Sequence, residues 1–454
     1  MVSKADLQSL SRLIGNYDLR ARFPQELDEA GGEVLGNALG PLMGGSVLIG
    51  RDTRRESARI ERSLAKGLRE VGTHAIRVGI LPTPVLAFAA RQWQVPALMV
   101  TPSHNPIGEV GVKALTREGE LWTNEWERLR RRLRQGSIFH KTIATLPASE
   151  SEAAGCNRRA LESKYIASIQ DLGRSNLKVA LDPRGGATAG WARRSMEAMG
   201  MSVVSIHDRY SPTFFGCSPE PSVESSKDLS NLVLDSSADF GVTFDGDGDR
   251  ALFLDHNGKG VSPEAIALTL YENQHRKVGP IVASSDASPK VRLFARVIPA
   301  AVGSRNIVDK MKKVHAGVGF ELSNHFYLRD TGFVSDGITV SCKVALALRN
   351  DVYSLKKNER KLAIRNRVTL SQLLERRLNF QELIKALKSD RKYSWSRHVD
   401  GFLHTGQNGE LIFLRASNTE LRLRIVTEDL TAESRDYLLR VLREKVEKGT
   451  IGHA

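Results

Sequence analysis

The stretch Phe240-Gly241-Val242-Thr243-Phe244-Asp245-Gly246-Asp247-Gly248-Asp249-Arg250 runs from an apolar segment into three carboxylates on alternate residues. The apolar segment reads as a buried strand. The glycines between the aspartates let the backbone curl, so that Asp245, Asp247 and Asp249 can converge on one hard divalent cation. An EF-hand loop also offers aspartates at its first, third and fifth positions. It requires glycine sixth and glutamate twelfth, however, where this chain has Arg250 and His256, so that alternative fails. An acidic loop at the carboxyl end of a strand is where open α/β sheets hold their ligands.

The sequence around this stretch repeats one pattern. Leu177 to Asp182 reads as a strand that enters the Gly185-Gly186 turn and a helix past Trp191, and Ser202 to Ile206 is extended again. Nearer the N-terminus, Ser46 to Gly50 is strand-like, Ile60, Leu64 and Leu68 mark one face of a helix ended by Gly72, and His74 to Leu81 is extended. Strand, helix, strand implies parallel pairing. Glu264 to Tyr271 and Pro280 to Ser284 begin a third such unit. The last 85 residues differ. There Leu370, Leu373, Leu374 and Leu378, then Leu383, Ile384 and Leu387, repeat at helical spacing. Gly401 to Thr405 and Glu410 to Leu414 flank a Gly406-Gln407-Asn408-Gly409 turn, and Leu421 to Ile425 alternates apolar with basic, as a half-exposed antiparallel strand does. The expected fold is α/β: three similar α/β domains with mixed, mostly parallel sheets over 1–150, 151–257 and 258–369, followed by a smaller α+β domain over 370–454.

A second loop joins the acidic one. Thr101-Pro102-Ser103-His104-Asn105-Pro106 follows the short strand-like run Ala97 to Val100, and its two prolines hold Ser103 in a rigid turn that presents the hydroxyl. Three carboxylates leave room on Mg²⁺ for a further oxygen, and phosphoryl transfer needs that vacancy. A presented serine beside an acidic metal loop points to a phosphoserine.

Four motifs, in order and across essentially the whole chain, resemble those of the α-D-phosphohexomutases, in particular the bacterial phosphomannomutase/phosphoglucomutase branch. Besides the serine and metal loops, Gly319-Phe320-Glu321-Leu322-Ser323-Asn324-His325 is similar to the family's sugar-binding loop, and Arg415-Ala416-Ser417-Asn418-Thr419-Glu420 to its phosphate-binding loop. The resemblance implies a phosphohexomutase that moves a phosphoryl group between O1 and O6 of a mannose or glucose phosphate. It would work through phosphorylated Ser103 and a hexose 1,6-bisphosphate, which also serves as activator. Mg²⁺ would sit on Ser103, Asp245, Asp247 and Asp249. Tyr17 and Arg20 match the family's opening motif, Arg20 and Arg250 would steady the transferring phosphate, and the general base would be Lys113 or His325. Glu321 and Ser323 suit two neighbouring sugar hydroxyls, while Arg415, Ser417, Asn418 and Thr419 would grip the phosphate not being transferred. Phe320 and Asn324 are bulkier than the family's residues at those places and are expected to alter sugar preference. Lys290 either takes over from a lysine the family usually has nearby, or that contact is lost. Asn418, where glucosamine-phosphate mutases usually have glycine, favours mannose or glucose. The alternatives are a phosphoglucosamine mutase or a catalytically silent sugar-phosphate-binding paralogue. A serine phosphatase would need no second phosphate grip.

Length and composition are compatible with this. At 454 residues the chain is too long for one core. Its net charge of +14 is concentrated between Lys356 and Arg397, with 13 Lys/Arg against 4 Asp/Glu, but the helical apolar spacing there makes those charges a solvated face. No nucleic-acid-binding motif accompanies them, and the expected partners are small hexose phosphates, with no nucleic acid and no membrane. The uncharged run from Val34 to Gly50 is broken by Asn37, Pro41 and glycines, so it reads as helix end, turn and strand rather than a span. The N-terminal residues lack the apolar core of a signal peptide, and Cys156, Cys217 and Cys342 are widely spaced. A cytoplasmic monomer or homodimer is expected.

Overall fold

The computed structural model describes residues 4–15, 17–136, 157–273, 279–373, 383, 385, 393–406, 409–416 and 422–447. Strands β1 (Leu19–Arg22), β2 (Ser46–Arg51), β3 (His74–Ile80), β4 (Ala97–Val100) and β5 (Glu109–Leu115) form the first sheet in the order β1-β5-β4-β2-β3. β2 is parallel to β3 and β4, whereas β5 is antiparallel to β4 and β1. The second sheet repeats that plan with β6 (Lys178–Asp182), β7 (Ser202–Ser205), β8 (Phe240–Phe244), β9 (Ala251–Leu254) and β10 (Gly260–Val261). β6 is parallel to β7 and β8, and β9 is antiparallel to β8 and β10. The third sheet is shorter. β11 (Ile281–Ser284), β12 (Val297–Ala300), β13 (Val318–Phe320) and β14 (Phe326–Leu328) follow the order β12-β11-β13-β14, with only the last pairing antiparallel. These are the mixed α/β units expected from the sequence.

Local sequence explains the elements that carry the loops. The uncharged run does resolve into a helix, a cap and a strand. Asp28 accepts the Gly31 N–H at 2.8 Å to start helix Glu29–Met43, Gly44 ends it at φ 96°, and β2 follows. Ile60, Leu64 and Leu68 are fully buried on the inner face of helix Arg55–Glu70. A continuous apolar core takes Leu86 from the first unit, Trp191 from the second and Phe320 from the third, so the three units are packed as one body around the strand ends. Among the described residues, no helix is long and apolar enough to cross a membrane.

The fourth sheet contains β15 (Val368–Leu373), β16 (Ser396–His398), β17 (Gly401–Thr405), β18 (Leu411–Ala416) and β19 (Arg422–Glu428), all antiparallel, with helix Ala432–Glu447 packed on it through Leu438 and Leu442. One expectation is corrected here. Leu370 and Leu373 lie on strand β15, paired with β19 from Val368 onward, and not on a helix. Leu374, Leu378, Ile384, Leu387 and the turn residues Gln407 and Asn408 lie outside the described residues. Arg367, where the chain enters this sheet, donates at 2.6 Å both to Glu264 of the third unit and to Glu428 of the fourth, and both glutamates are fully buried.

Candidate active site

The serine loop and the acidic loop meet. Ser103 lies just beyond β4, Asp245 just beyond β8, and the Ser103 Oγ donates to Asp245 Oδ2 at 2.7 Å. Ser103 is buried and takes a left-handed φ of 57°, unusual for a residue with a side chain. Its amide donates to Thr101 Oγ1 at 2.9 Å and its carbonyl accepts from Arg54 at 2.9 Å. His104 Nδ1 stands 3.3 Å from the hydroxyl. Burial, with Arg250 and Arg20 nearby, pushes His104 far below its ordinary range, so it is held neutral.

The three aspartates fit a hard cation. One ligand atom from each lies within 4.8 Å of the others, and buried Asp247 Oδ1 has no hydrogen-bond partner among the described residues. Desolvation and its two acidic neighbours raise Asp245 well above the usual carboxylate range. Burial would also raise Asp249, but Lys113 and His325 outweigh it and hold that carboxyl well below. Lys113 Nζ, from β5, donates to Asp247 at 2.6 Å and Asp249 at 2.7 Å, and Thr83 Oγ1 donates to Asp247 as well. Burial opposes the Lys113 charge, yet the carboxylates win and its affinity for the proton rises. Three converging carboxylates, two of them buried, with an oxygen that no described group bonds, suit a Mg²⁺ ion.

The sugar loop docks on this cluster. A bridge between Arg250 and His325 joins the two loops, and Asn324 takes φ 65°, a conformation asparagine tolerates better than most residues, which explains how it stands where glycine is usual. His325 Nε2 is 3.3 Å from Asp249 and its Nδ1 is 2.8 Å from Ser323 Oγ. Glu321 is buried and accepts from the Gly303 N–H at 2.8 Å and the Tyr327 hydroxyl at 2.7 Å. Tyr17 approaches the same place, since a Cβ on Gly303 would lie 3.0 Å from its hydroxyl. Phe320 is different. It is fully buried in β13 opposite Phe326, so its bulk fills the core and does not face the sugar.

Arg20 donates to Asp18 at 2.8 Å and to the Pro102 carbonyl at 2.7 Å, and also to Asn105, which ties it to the serine loop. Arg250 reaches Glu220 at 3.1 Å and His325 at 3.4 Å. Arg415 is the penultimate residue of β18, its Nε has no partner among the described residues, and its charge acts on partly buried Asp286 of the third unit. Ser417, Asn418 and Thr419 lie outside the described residues. Lys290 is not at the sugar loop: its amine is held by Asp429 at 2.5 Å and the Ala363 carbonyl at 3.0 Å. Sequence reasoning missed Arg54, Thr83 and Tyr327. Of these only Arg54 had a signal, an Asp-x-Arg after the strand that recurs as Asp182-Pro183-Arg184.

Three mixed α/β units and an antiparallel fourth surround a serine, a metal-loop and a sugar-loop cluster, an arrangement suited to phosphoryl transfer on a small polyol. Successive sequence models for phosphoglucomutase/phosphomannomutase match the chain: alpha/beta/alpha domain I over 11–135, domain II over 160–258 and domain III over 265–378. The chain therefore belongs to the α-D-phosphohexomutase family. It is similar to a phosphoglucosamine mutase of Histophilus somni, 29% identical over 431 residues that cover 92% of this chain and 93% of that protein. Its fold is similar to a phosphoglucomutase/phosphomannomutase family protein of Burkholderia thailandensis, with a TM-score of 0.79 and 21% identity over 100% of this chain and 99% of the other. It is also similar to the Aspergillus fumigatus N-acetylphosphoglucosamine mutase solved in complex with GlcNAc-6P and magnesium, with a TM-score of 0.59 and 13% identity over 99% and 100%.

Proposed function

We propose that this protein interconverts the 1- and 6-phosphates of a hexose, mannose or glucose, through phosphorylated Ser103 and a hexose 1,6-bisphosphate. The observation that carries the reading is the 2.7 Å contact of the Ser103 hydroxyl with Asp245, inside a buried acidic cluster. Asp245, Asp247 and Asp249 would hold Mg²⁺ together with Ser103, and the bound ion supplies neutralisation of charge on the transferring phosphoryl group. The Aspergillus neighbour's magnesium complex supports that choice of metal.

The chain's own groups divide the remaining work. Asp245 orients the serine oxygen. Lys113, bonded to Asp247 and Asp249, is placed to neutralise charge, and His325 beside Asp249 is placed to take a proton from a sugar hydroxyl. Arg20 and Arg250 flank the serine and metal loops as phosphate-steadying cations. Glu321 and Ser323 face the sugar, and Arg415 of the fourth unit, with Ser417, Asn418 and Thr419, grips the non-reacting phosphate. A second reading, a phosphoglucosamine mutase, is favoured by the relatives' names.

The test is turnover of glucose 1-phosphate, mannose 1-phosphate and glucosamine 1-phosphate, each with and without a hexose 1,6-bisphosphate primer. The expected result is primer-dependent isomerisation, fastest with glucose or mannose, and none in Ser103→Ala, which should fold normally because a loop hydroxyl contributes little packing. Near-normal turnover by Ser103→Ala would remove the phosphoserine. Exclusive use of glucosamine 1-phosphate would establish the second reading.

A further inference from the structure

Ser103 must hold a backbone conformation that side-chain-bearing residues avoid, so something outside the loop has to impose it. The structure identifies that support in Asp52 and Arg54, which follow β2 and are both completely buried. They form an ion pair at 3.3 Å, and Asp52 Oδ1 also accepts the Arg54 amide at 3.1 Å. The Arg54 guanidinium then donates to three carbonyls of the serine loop: Ser103 at 2.9 Å, Asn105 at 2.6 Å and Pro106 at 2.6 Å. Asp52 works from the other side. Its Oδ2 accepts from the Thr101 hydroxyl at 2.8 Å, and that same hydroxyl accepts the Ser103 amide at 2.9 Å. Both backbone groups of Ser103 are thus tied to one buried ion pair, directly through the carbonyl and through Thr101 at the amide. Arg54 also stacks 5.0 Å from the ring of Phe214 in the second unit, so the brace is seated against the domain that carries Asp245.

The second unit repeats the device. Asp182 is the last residue of β6 and Arg184 follows it, with Asp182 Oδ1 accepting the Arg184 amide at 2.8 Å and the arginine buried. This guanidinium holds the carbonyls of Ser218 at 3.1 Å and Ser225 at 3.2 Å and the hydroxyl of Ser226 at 2.7 Å. The loop it grips carries Glu220, the partner of Arg250. A buried Asp-x-Arg that clamps a loop by its carbonyls therefore stands behind the serine in one unit and behind Arg250 in the next.

We propose that Arg54, with Asp52 and Thr101, is a positioning residue that sets the Ser103 hydroxyl for phosphoryl transfer, and that Arg184 does the same for the loop holding Arg250. The inference rests on the mutase reading above. The brace touches no substrate, so its loss lowers kcat and leaves KM nearly unchanged.

The decisive variant is Thr101→Val, which keeps shape and removes the hydroxyl that links Asp52 to the Ser103 amide; Arg54→Lys keeps the charge and gives up the three-carbonyl fork. Full-length protein is incubated with glucose 1,6-bisphosphate, uptake of a phosphoryl group by Ser103 is followed by intact mass, and kcat and KM for glucose 1-phosphate are measured alongside thermal unfolding. A misplaced nucleophile predicts kcat and phosphorylation rate lower by about tenfold in Thr101→Val and by about 10²-fold in Arg54→Lys, with KM within about twofold of wild type. Thr101→Ser, which restores the hydroxyl, should recover most of the rate. A folded Thr101→Val that phosphorylates and turns over at the wild-type rate, while wild type itself takes up the phosphoryl group, overturns this inference alone. Failure of wild-type Ser103 to take up any phosphoryl group overturns the mutase reading and this inference with it.

Discussion

Asp247 shows how much one side chain is asked to do in this site. One of its oxygens takes donors from Lys113 and Thr83, and the other is buried without a partner among the described residues, so the carboxylate joins the first unit to the metal loop and keeps one face for a cation. Asp247→Asn removes one of three anionic ligands and leaves Lys113 with Asp249 alone. Mg²⁺ affinity by calorimetry should fall at least about tenfold, with turnover falling in parallel. Unchanged affinity would place the metal elsewhere. At this scale the sequence was informative where chemistry leaves a local pattern. Three aspartates separated by glycines, and a serine between prolines, announce themselves. Arg54 did not, because a buried arginine that serves carbonyls leaves no mark on its neighbours in the sequence, and only the recurrence of Asp-x-Arg at Arg184 distinguishes it from an exposed one. Tyr327 is hidden for a related reason. Its hydroxyl reaches Glu321 and Ser304 across a turn, contacts that spacing cannot foretell.

Among the elements, helices Glu29–Met43 and Arg55–Glu70 pack through glycine. A Cβ at Gly67 would fall 1.9 Å from the Glu33 carbonyl oxygen, and one at Gly36 would fall 2.4 Å from that of Leu64. Gly67→Ala gains about 1 kcal/mol of helix propensity. The overlap it creates is backbone against side chain at covalent-like distance, so the helices must separate, at a cost of about 1 to 3 kcal/mol or more. Net destabilisation should appear as a lower Tm, with turnover per folded molecule preserved because the pair lies away from the site. A Tm equal to or above wild type would show that this contact is not tight. Helices and strands with a clear apolar period, such as Ile60, Leu64 and Leu68 or Phe240 to Phe244, were readable in advance. β15 was not. Leu370 and Leu373 are three apart, a spacing that satisfies a helix, and what makes this segment a strand is its pairing with β19, where their partners are Ile425 and Arg422. Propensity yields there to a partner that local pattern cannot see.

On the scale of the whole molecule, the proposed function requires the fourth unit to reach the chemistry of the other three. The joint between them is firm. Arg367 is half-buried between Glu264 and Glu428, Ser288 bonds both glutamates, and Asp400 of the fourth unit accepts the Val302 amide at 3.0 Å beside the sugar loop. Arg415 of the fourth unit acts electrostatically on Asp286 of the third, and the proposed function has it hold one phosphate while the other stands at Ser103. Such a division makes sense only if the sugar presents each end in turn, since a simple hydrolase has no use for a second grip. The most direct measurement is to load Ser103 with radiolabelled phosphate, add unlabelled glucose 1-phosphate, and follow the label in a single turnover. A mutase working through Ser103 sends the label off the protein first into glucose 1,6-bisphosphate and then into glucose 6-phosphate. Label released only as inorganic phosphate, or retained on the protein while product forms, would contradict it.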